Sequence, residues 1–287
     1  MKHKLGGDFM FRLLYPYGKR KAFNITYDDG ILQDIRFVEL LNKYGINGTF
    51  NLNSKLMEEE FEWIHPCGMT IKRLSKDVAK ELYRGHEIAS HTLTHPDFTN
   101  LSEEQIMYEL SEDKKKLEEW FGCEVVGFGV PFDYYDDVAA ECVKRCGFKY
   151  ARNSEESYSY NPWENFYHWR AGTYHVMPGF LPFVEGFFDT DEELALCQIV
   201  GHSYDLDTEN MWDVMENILK RVSEDEEIIS MTHAEIVSYL QAMQIAELTE
   251  KGIENSSDKE LWFEIDGEII CIKPGETFQW NKSGMCK

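Results

Sequence analysis

Hydrophobic and polar positions along the chain switch repeatedly between two periods. Apolar, strand-like runs occur at 22–27, 48–53, 86–91, 125–130, 147–151, 194–202 and 227–232. Between most of them the apolar spacing is helical, with start and stop signals. The first helical stretch, about 32–44, sets Ile35, Val38 and Leu41 on one face and stops at Gly45. The second starts at Ser75, places Val78 and Leu82 one turn apart and stops at Gly85. The third, 103–121, opens on Ser102 with Gln105 three residues on, a capping-box spacing that satisfies orphaned backbone donors. A fourth runs from about Asp137 to Gly147, and two more follow Thr208 and His233. Strands alternating with helices imply parallel crossovers rather than hairpins. About seven such strands suit a closed or nearly closed β/α barrel better than an open sheet, so the fold class expected is α/β.

Two segments break the rhythm. Residues 153–192 are dense in aromatics without a clean period, and so long an insertion is usually a functional lid or a small packed subdomain. Farther on, Asp266-Gly267 stands between two apolar runs and reads as the turn of a β-hairpin. The organisation this gives is a barrel over 1–250, holding the 153–192 insertion, and a C-terminal β-hairpin tail over 258–287.

Composition narrows the partners. Of 287 residues, 43% are hydrophobic and 14% aromatic, ample for a large core and unlike a disordered chain. The 29 basic residues stand against 52 acidic ones, a net charge of −23 that would repel phosphate backbones and anionic lipid. Neither nucleic acid nor membrane is therefore expected as a partner, and no apolar run approaches the ~18 residues of a membrane span. Seven cysteines with no C-x-x-C pair read as free thiols in a reducing compartment. The first residues start basic, but Gly6, Gly7, Asp8 and Arg12 interrupt any signal-peptide core, so a cytoplasmic location is expected. Nothing in the pattern fixes an oligomeric state.

In a β/α barrel, chemistry collects where strands end and loops begin. Four strand ends here carry Asp or His: Asp28-Asp29-Gly30, His91 with His95-Pro96, His202 with Asp205, and Thr232-His233. An Asp-Gly pair by itself marks a turn. Adjacent strand residues face opposite ways, so both aspartates serve one site only if the chain is already leaving the strand. Two acids so close ionise together only when a cation offsets them. A metal on one, leaving the other free as a base, resolves the conflict. His91 and His95 lie on a loop that must curl for their rings to converge. Two histidines and one carboxylate would make a facial triad with positions open to water or substrate.

TYDDG at 26–30 followed by HTLTHP at 91–96 resembles the polysaccharide deacetylase family (carbohydrate esterase family 4), whose catalytic domain is a distorted β/α barrel. The likeness runs over roughly 20–245 in strand order. It implies that Asp29, His91 and His95 bind Zn²⁺ or another divalent transition metal, with Asp28 as general base. Gly129-Val130-Pro131-Phe132 stands at the family's Arg-x-Pro-Tyr motif. Pro131 and an aromatic remain, and a backbone N–H near Phe132 would help to stabilise the oxyanion. Gly129, however, replaces the arginine that orients the base, leaving Arg152 or Arg170 to substitute. His233 matches the last motif and would be the general acid for the leaving amine. His202 falls where the family's fourth motif is poorly matched, as a second proton donor, a substrate contact or a structural strand end.

The activity this resemblance implies is metal-dependent hydrolysis of a carbon–nitrogen amide bond, most directly deacetylation of an N-acetylated sugar or oligosaccharide. Pro131, Phe132, Arg152 and Trp169 are the residues expected at the substrate. The tryptophans and tyrosines of 153–192, and Trp63 after the second strand, either stack on sugar rings or simply pack. Two other readings stand beside it. One is hydrolysis of a small non-sugar amide or cyclic imide, as in relatives of the same superfamily. The other is a catalytically silent sugar-binding protein, which the missing arginine and the degraded fourth motif motivate.

Overall fold

The computed structural model describes residues 3–4, 10–163, 165–249 and 251–280. Its centre is a parallel sheet built from β1 (Lys21–Asp28), β2 (Thr49–Leu52), β3 (Glu87–Ser90), β4 (Gly127–Gly129), β5 (Tyr150–Glu156), β6 (Trp169–Ala171), β7 (Thr173–Tyr174), β8 (Ala195–Gly201) and β9 (Ile228–Ser230). The order is β6-β5-β4-β3-β2-β1-β8-β7, with β9 also paired to β1. Every strand run expected from the sequence is present. Because β6 and β7 are parted only by Gly172, the two ends of this order belong to one continuous segment, and the sheet curls into a distorted, nearly closed barrel. Gly172 is required there: a Cβ would meet the Gln198 carbonyl oxygen at 2.4 Å.

Residues 153–192 are therefore not an appendage on the barrel. They finish β5 and supply β6, β7 and the helix α6 (Phe180–Asp189). Short strands and a helix with aromatics scattered over several faces leave no single period to detect, which is why the segment read as an insertion.

Helices cover the outside: α1 (Asp34–Lys43), α2 (Ser54–Glu58), α3 (Lys76–Leu82), α4 (Glu103–Phe121), α5 (Asp137–Arg145), then α6, α7 (Ser203–Thr208), α8 (Trp212–Glu224) and α9 (His233–Ile245). The Ser102–Gln105 capping box forms as the spacing predicts. Some helical faces are rotated from the expected ones. Ile35 and Val78 point to solvent, and α1 instead buries Phe37, Val38, Leu41 and the acidic Asp34. A polar residue was preferred to an isoleucine because Asp34 has partners: it accepts from Ser203 Oγ and Tyr83 Oη, both at 2.5 Å.

Along β1 the pleat sorts side chains by face. Phe23, Ile25 and Tyr27 join the apolar layer under the helices. Asn24, Thr26 and Asp28 bond instead to polar partners on neighbouring strands, among them Asn51 and Gln198. The inner face of β1 from Asn24 to Asp28 is thus polar, which suits a site at the barrel mouth.

The hairpin expected in the tail forms from Leu261–Ile265 and Glu268–Ile272. It does not stand alone. Leu261–Ile265 pairs antiparallel with Met10–Leu14, so strands from both ends of the described chain share one four-stranded sheet. With α9 this sheet encloses a second apolar core containing Phe11, Leu196, Ile236, Leu240 and Phe263. Residues 281–287 of the expected tail lie outside the described residues. Among the described residues, no helix is long and apolar enough to cross a membrane.

Candidate active site

The aspartate pair reaches one site because the chain turns at Asp29. Asp28 is the last residue of β1, whereas Asp29 lies at φ +87° and Gly30 at φ +62°. The histidine loop after β3 curls by a similar device. Thr92 and His95 adopt φ +68° and +56°. Asn53 Nδ2 donates to the carbonyls of His91 and Thr92, and the His95 amide donates to Thr92 Oγ1 at 3.0 Å.

These turns bring three ligand-type atoms together. Asp29 Oδ1 lies 3.8 Å from His91 Nε2 and 3.7 Å from His95 Nε2. Among the described residues, Asp29, His91 and His95 are the group of this kind able to hold a metal ion. Bonds of about 2.0–2.2 Å in near-tetrahedral geometry separate ligand atoms by roughly 3.4 Å, close to what is observed. His91 Nδ1 faces the Gly129 carbonyl at 2.8 Å, which fixes the ring and turns Nε2 inward. Burial holds His91 down at about 4, and burial likewise lowers His95, so both rings are neutral as ligands must be. Asp29 Oδ1 is buried and ion-paired to Arg73 Nη1 at 2.7 Å, without an aligned hydrogen bond. The donor set fits a divalent transition metal.

Asp28 is held differently. Its Oδ1 accepts from Asn51 Nδ2 at 2.6 Å and from Arg152 Nη2. Burial works to raise its pKa, but Arg152, His91 and His202 outweigh burial and keep it below the ordinary carboxylate value. Gly129 leaves room for this arrangement, because a Cβ there would meet Asn51 Cγ at 2.8 Å.

The remaining imidazole at the site is His202. Its Nε2 lies 3.8 Å from Asp29 Oδ2, and its Nδ1 faces Tyr174 Oη at 2.8 Å and Asp205 Oδ2 at 3.3 Å. Burial opposes its charge, yet the Asp205 contact together with Asp29 and Asp28 raises it to about 9. Tyr204 stacks on the ring with centroids 4.9 Å apart, and Trp63 meets Tyr204 edge-on at 6.0 Å.

Two expected site residues lie elsewhere. His233 is fully buried, stacked on Tyr150 at 3.9 Å and edge-on to Trp169 at 4.6 Å, with Gln198 beside Nδ1. None of Asp28, Asp29, His91, His95 or His202 is among its ring or polar contacts. The cause is register. β8 runs alongside β1 up to Gly201 opposite Tyr27, whereas β9 stops with Ser230 opposite Phe23. His202 therefore emerges level with the aspartates. The His233 amide is tied to Thr49, a residue paired with Thr26, about two residues deeper in the barrel. Trp169 is likewise interior packing, at 2% exposure, rather than a substrate platform. Pro131 is buried, while Phe132 stands on the rim, 60% exposed and edge-on to His95 at 4.5 Å.

Sequence reasoning overlooked Asn51, Arg73 and Tyr174. Asn51 had a signal, a polar residue near the end of an apolar strand. Arg73 and Tyr174 arrive from a hairpin and from the misread aromatic segment, and neither has a local signature.

Residues 16–151 match the Polysaccharide deacetylase family, a span holding both aspartates, both loop histidines and Gly129. Over that span, just under half of its length, the chain is similar to that family. It is 28% identical over 131 residues to the peptidoglycan-N-acetylglucosamine deacetylase of Bacillus cereus, a match covering 45% of this chain and 54% of that protein. The chain thus spans about half the length of this curated relative. Among solved structures, the Xyl-CE4 domain of a multidomain xylanase from the hindgut metagenome of Trinervitermes trinervoides superposes with a TM-score of 0.52 at 18% identity, covering 78% of this chain and 92% of that one. The Puue allantoinase gives 0.58 at 14% identity over 78% and 91%. At these identities the likeness shows the fold alone. In this chain position 129 is glycine, and the imidazole that faces Asp29 beside the loop histidines is His202, with His233 deeper in the barrel.

Proposed function

We propose that this protein is a metal-dependent hydrolase of a carbon–nitrogen amide bond, and that its substrate is an N-acetylated sugar or oligosaccharide. The observation that carries the reading is the meeting of Asp28, Asp29, His91, His95 and His202 at one end of the barrel. Asp29, His91 and His95 hold a divalent transition metal such as Zn²⁺, which when bound acidifies water and polarises a carbonyl. Asp28 accepts the proton of the attacking water. Both of its donors fall on Oδ1, which leaves Oδ2 for that proton. His202, oriented through Nδ1 by Tyr174 and Asp205, presents Nε2 to the site and protonates the departing amine nitrogen. The family supports the acetamido substrate, and Phe132 on the rim is an apolar surface against which a sugar ring can lie.

The test is a panel of N-acetyl sugars and small cyclic amides, assayed for acetate, ammonia and ring-opened product, with metal content measured alongside. Acetate release that disappears with Asp29→Ala or His95→Ala, together with the metal, is the expected result. Asp28→Asn should keep the metal and lose only turnover; loss of metal in that variant contradicts the assigned roles. Ring opening without acetate release would move the substrate to the cyclic amides. Metal without turnover on any member would return the silent reading.

A further inference from the structure

Asp29 is the pivot of the site, and its backbone sits in the left-handed region that disfavours any residue with a Cβ. Something must hold it there. Arg73 grips Asp29 at two points: Nη1 donates to the Asp29 carbonyl and lies 2.7 Å from Oδ1 of the same residue. The arginine is itself fixed. It follows a hairpin formed by Glu62–Ile64 and Thr70–Lys72, and its amide donates to the Phe61 carbonyl at 2.9 Å. A bridge joins it to Ile31, and the next amide, Leu74, donates to the Gly30 carbonyl at 2.8 Å. The Trp63 ring centroid is 5.2 Å from the guanidinium carbon. At 3% exposure this is a buried cation placed on both the backbone and the carboxylate of one residue.

We propose that Arg73 is a positioning residue that locks Asp29 in its turned conformation and so presents Oδ1 to His91 and His95. The proposal rests on the reading that these three residues hold a metal. A guanidinium beside a ligand carboxylate has two opposed effects. It repels an incoming cation, and it removes the conformational freedom that the ligand would otherwise lose on binding. Holding dominates here, because one buried nitrogen, Arg73 Nη1, meets the carbonyl as well as the carboxylate and so ties the backbone of Asp29 to its side chain. Removing it therefore weakens metal binding, whereas a purely repulsive role would tighten it.

The experiment is titration of metal-stripped wild type, R73A and R73K with Zn²⁺ in competition with a chromophoric chelator, without substrate. R73A should bind at least about tenfold more weakly, R73K should fall between, and millimolar methylguanidinium should restore affinity to R73A. Affinity in folded R73A equal to or tighter than wild type overturns the proposal. Should R73A fail to fold by circular dichroism, R73K decides alone, and wild-type affinity in it overturns the proposal. Because no turnover is measured, the result stands even if acetate release is never found. Wild type that binds no Zn²⁺ removes the underlying reading and this inference with it.

Discussion

Arg152 stands directly opposite Gly129 in adjacent parallel strands, and its guanidinium donates to Asp28. Asn51 occupies the space beside Gly129, so on the proposed reading Arg152 is the residue that orients the base. Arg152→Met should lower kcat by about 10²-fold through loss of orientation, with KM and metal content nearly unchanged. Steady-state kinetics with elemental analysis checks this. Gly129→Ala should cost stability, about 1–3 kcal/mol, by pressing on Asn51.

The two remaining histidines should separate cleanly in kinetics. His202→Gln removes the imidazole that faces Asp29 and should reduce kcat by about 10²–10⁴-fold. His233→Phe keeps an aromatic ring between Tyr150 and Trp169 and should leave kcat within about tenfold of wild type. The opposite ranking would return the acid role to His233.

Asp113 gives a stability prediction with a defined sign. It lies buried in α4, accepting from the Ser54 amide at 2.7 Å and from Ser90 Oγ at 2.6 Å. Burial pushes it up to about 7, against about 3.9 in an unfolded chain. Its contribution is therefore full at acid pH and is lost as pH rises through about 7. Asp113→Asn cannot ionise, so relative to wild type its melting temperature should improve between pH 5 and pH 8. Asp113→Ala should be destabilised at both values by about 1–3 kcal/mol, because the Ser54 amide loses its acceptor.

Phe132 tests the rim. Truncating its exposed ring to alanine should raise KM several-fold, about 1 kcal/mol of lost stacking, while kcat changes little. An unchanged KM across the sugar panel would remove Phe132 from the substrate surface.

The barrel was legible because its strands are short apolar runs bounded by turn residues, and helices with caps lie between them. The metal-type triad was legible for a different reason: Asp29, His91 and His95 carry a chemistry that few other arrangements explain. Depth was not legible. His202 and His233 both follow a strand, and only the pairing of β8 and β9 with different stretches of β1 decides which one reaches the mouth. Arg152, one of the two arginines named as substitutes, does reach Asp28, but its course from β5 across the barrel to β1 leaves no trace in spacing. Ile35 and Asp34 show the same limit on a helix, where a hydrogen-bonded carboxylate takes the buried position and an isoleucine stays outside.

The four-stranded sheet beneath the barrel has a consequence for assembly. Met10–Leu14 finds its partner about 250 positions later, in Leu261–Ile265, and closing so long a loop is slow. During synthesis the early strand must wait with one edge unsatisfied until Leu261–Ile265 has been made. Shortening the chain ahead of Leu261 would leave that edge open to strands of other molecules, so self-association should appear before any loss of the chemistry at the opposite end.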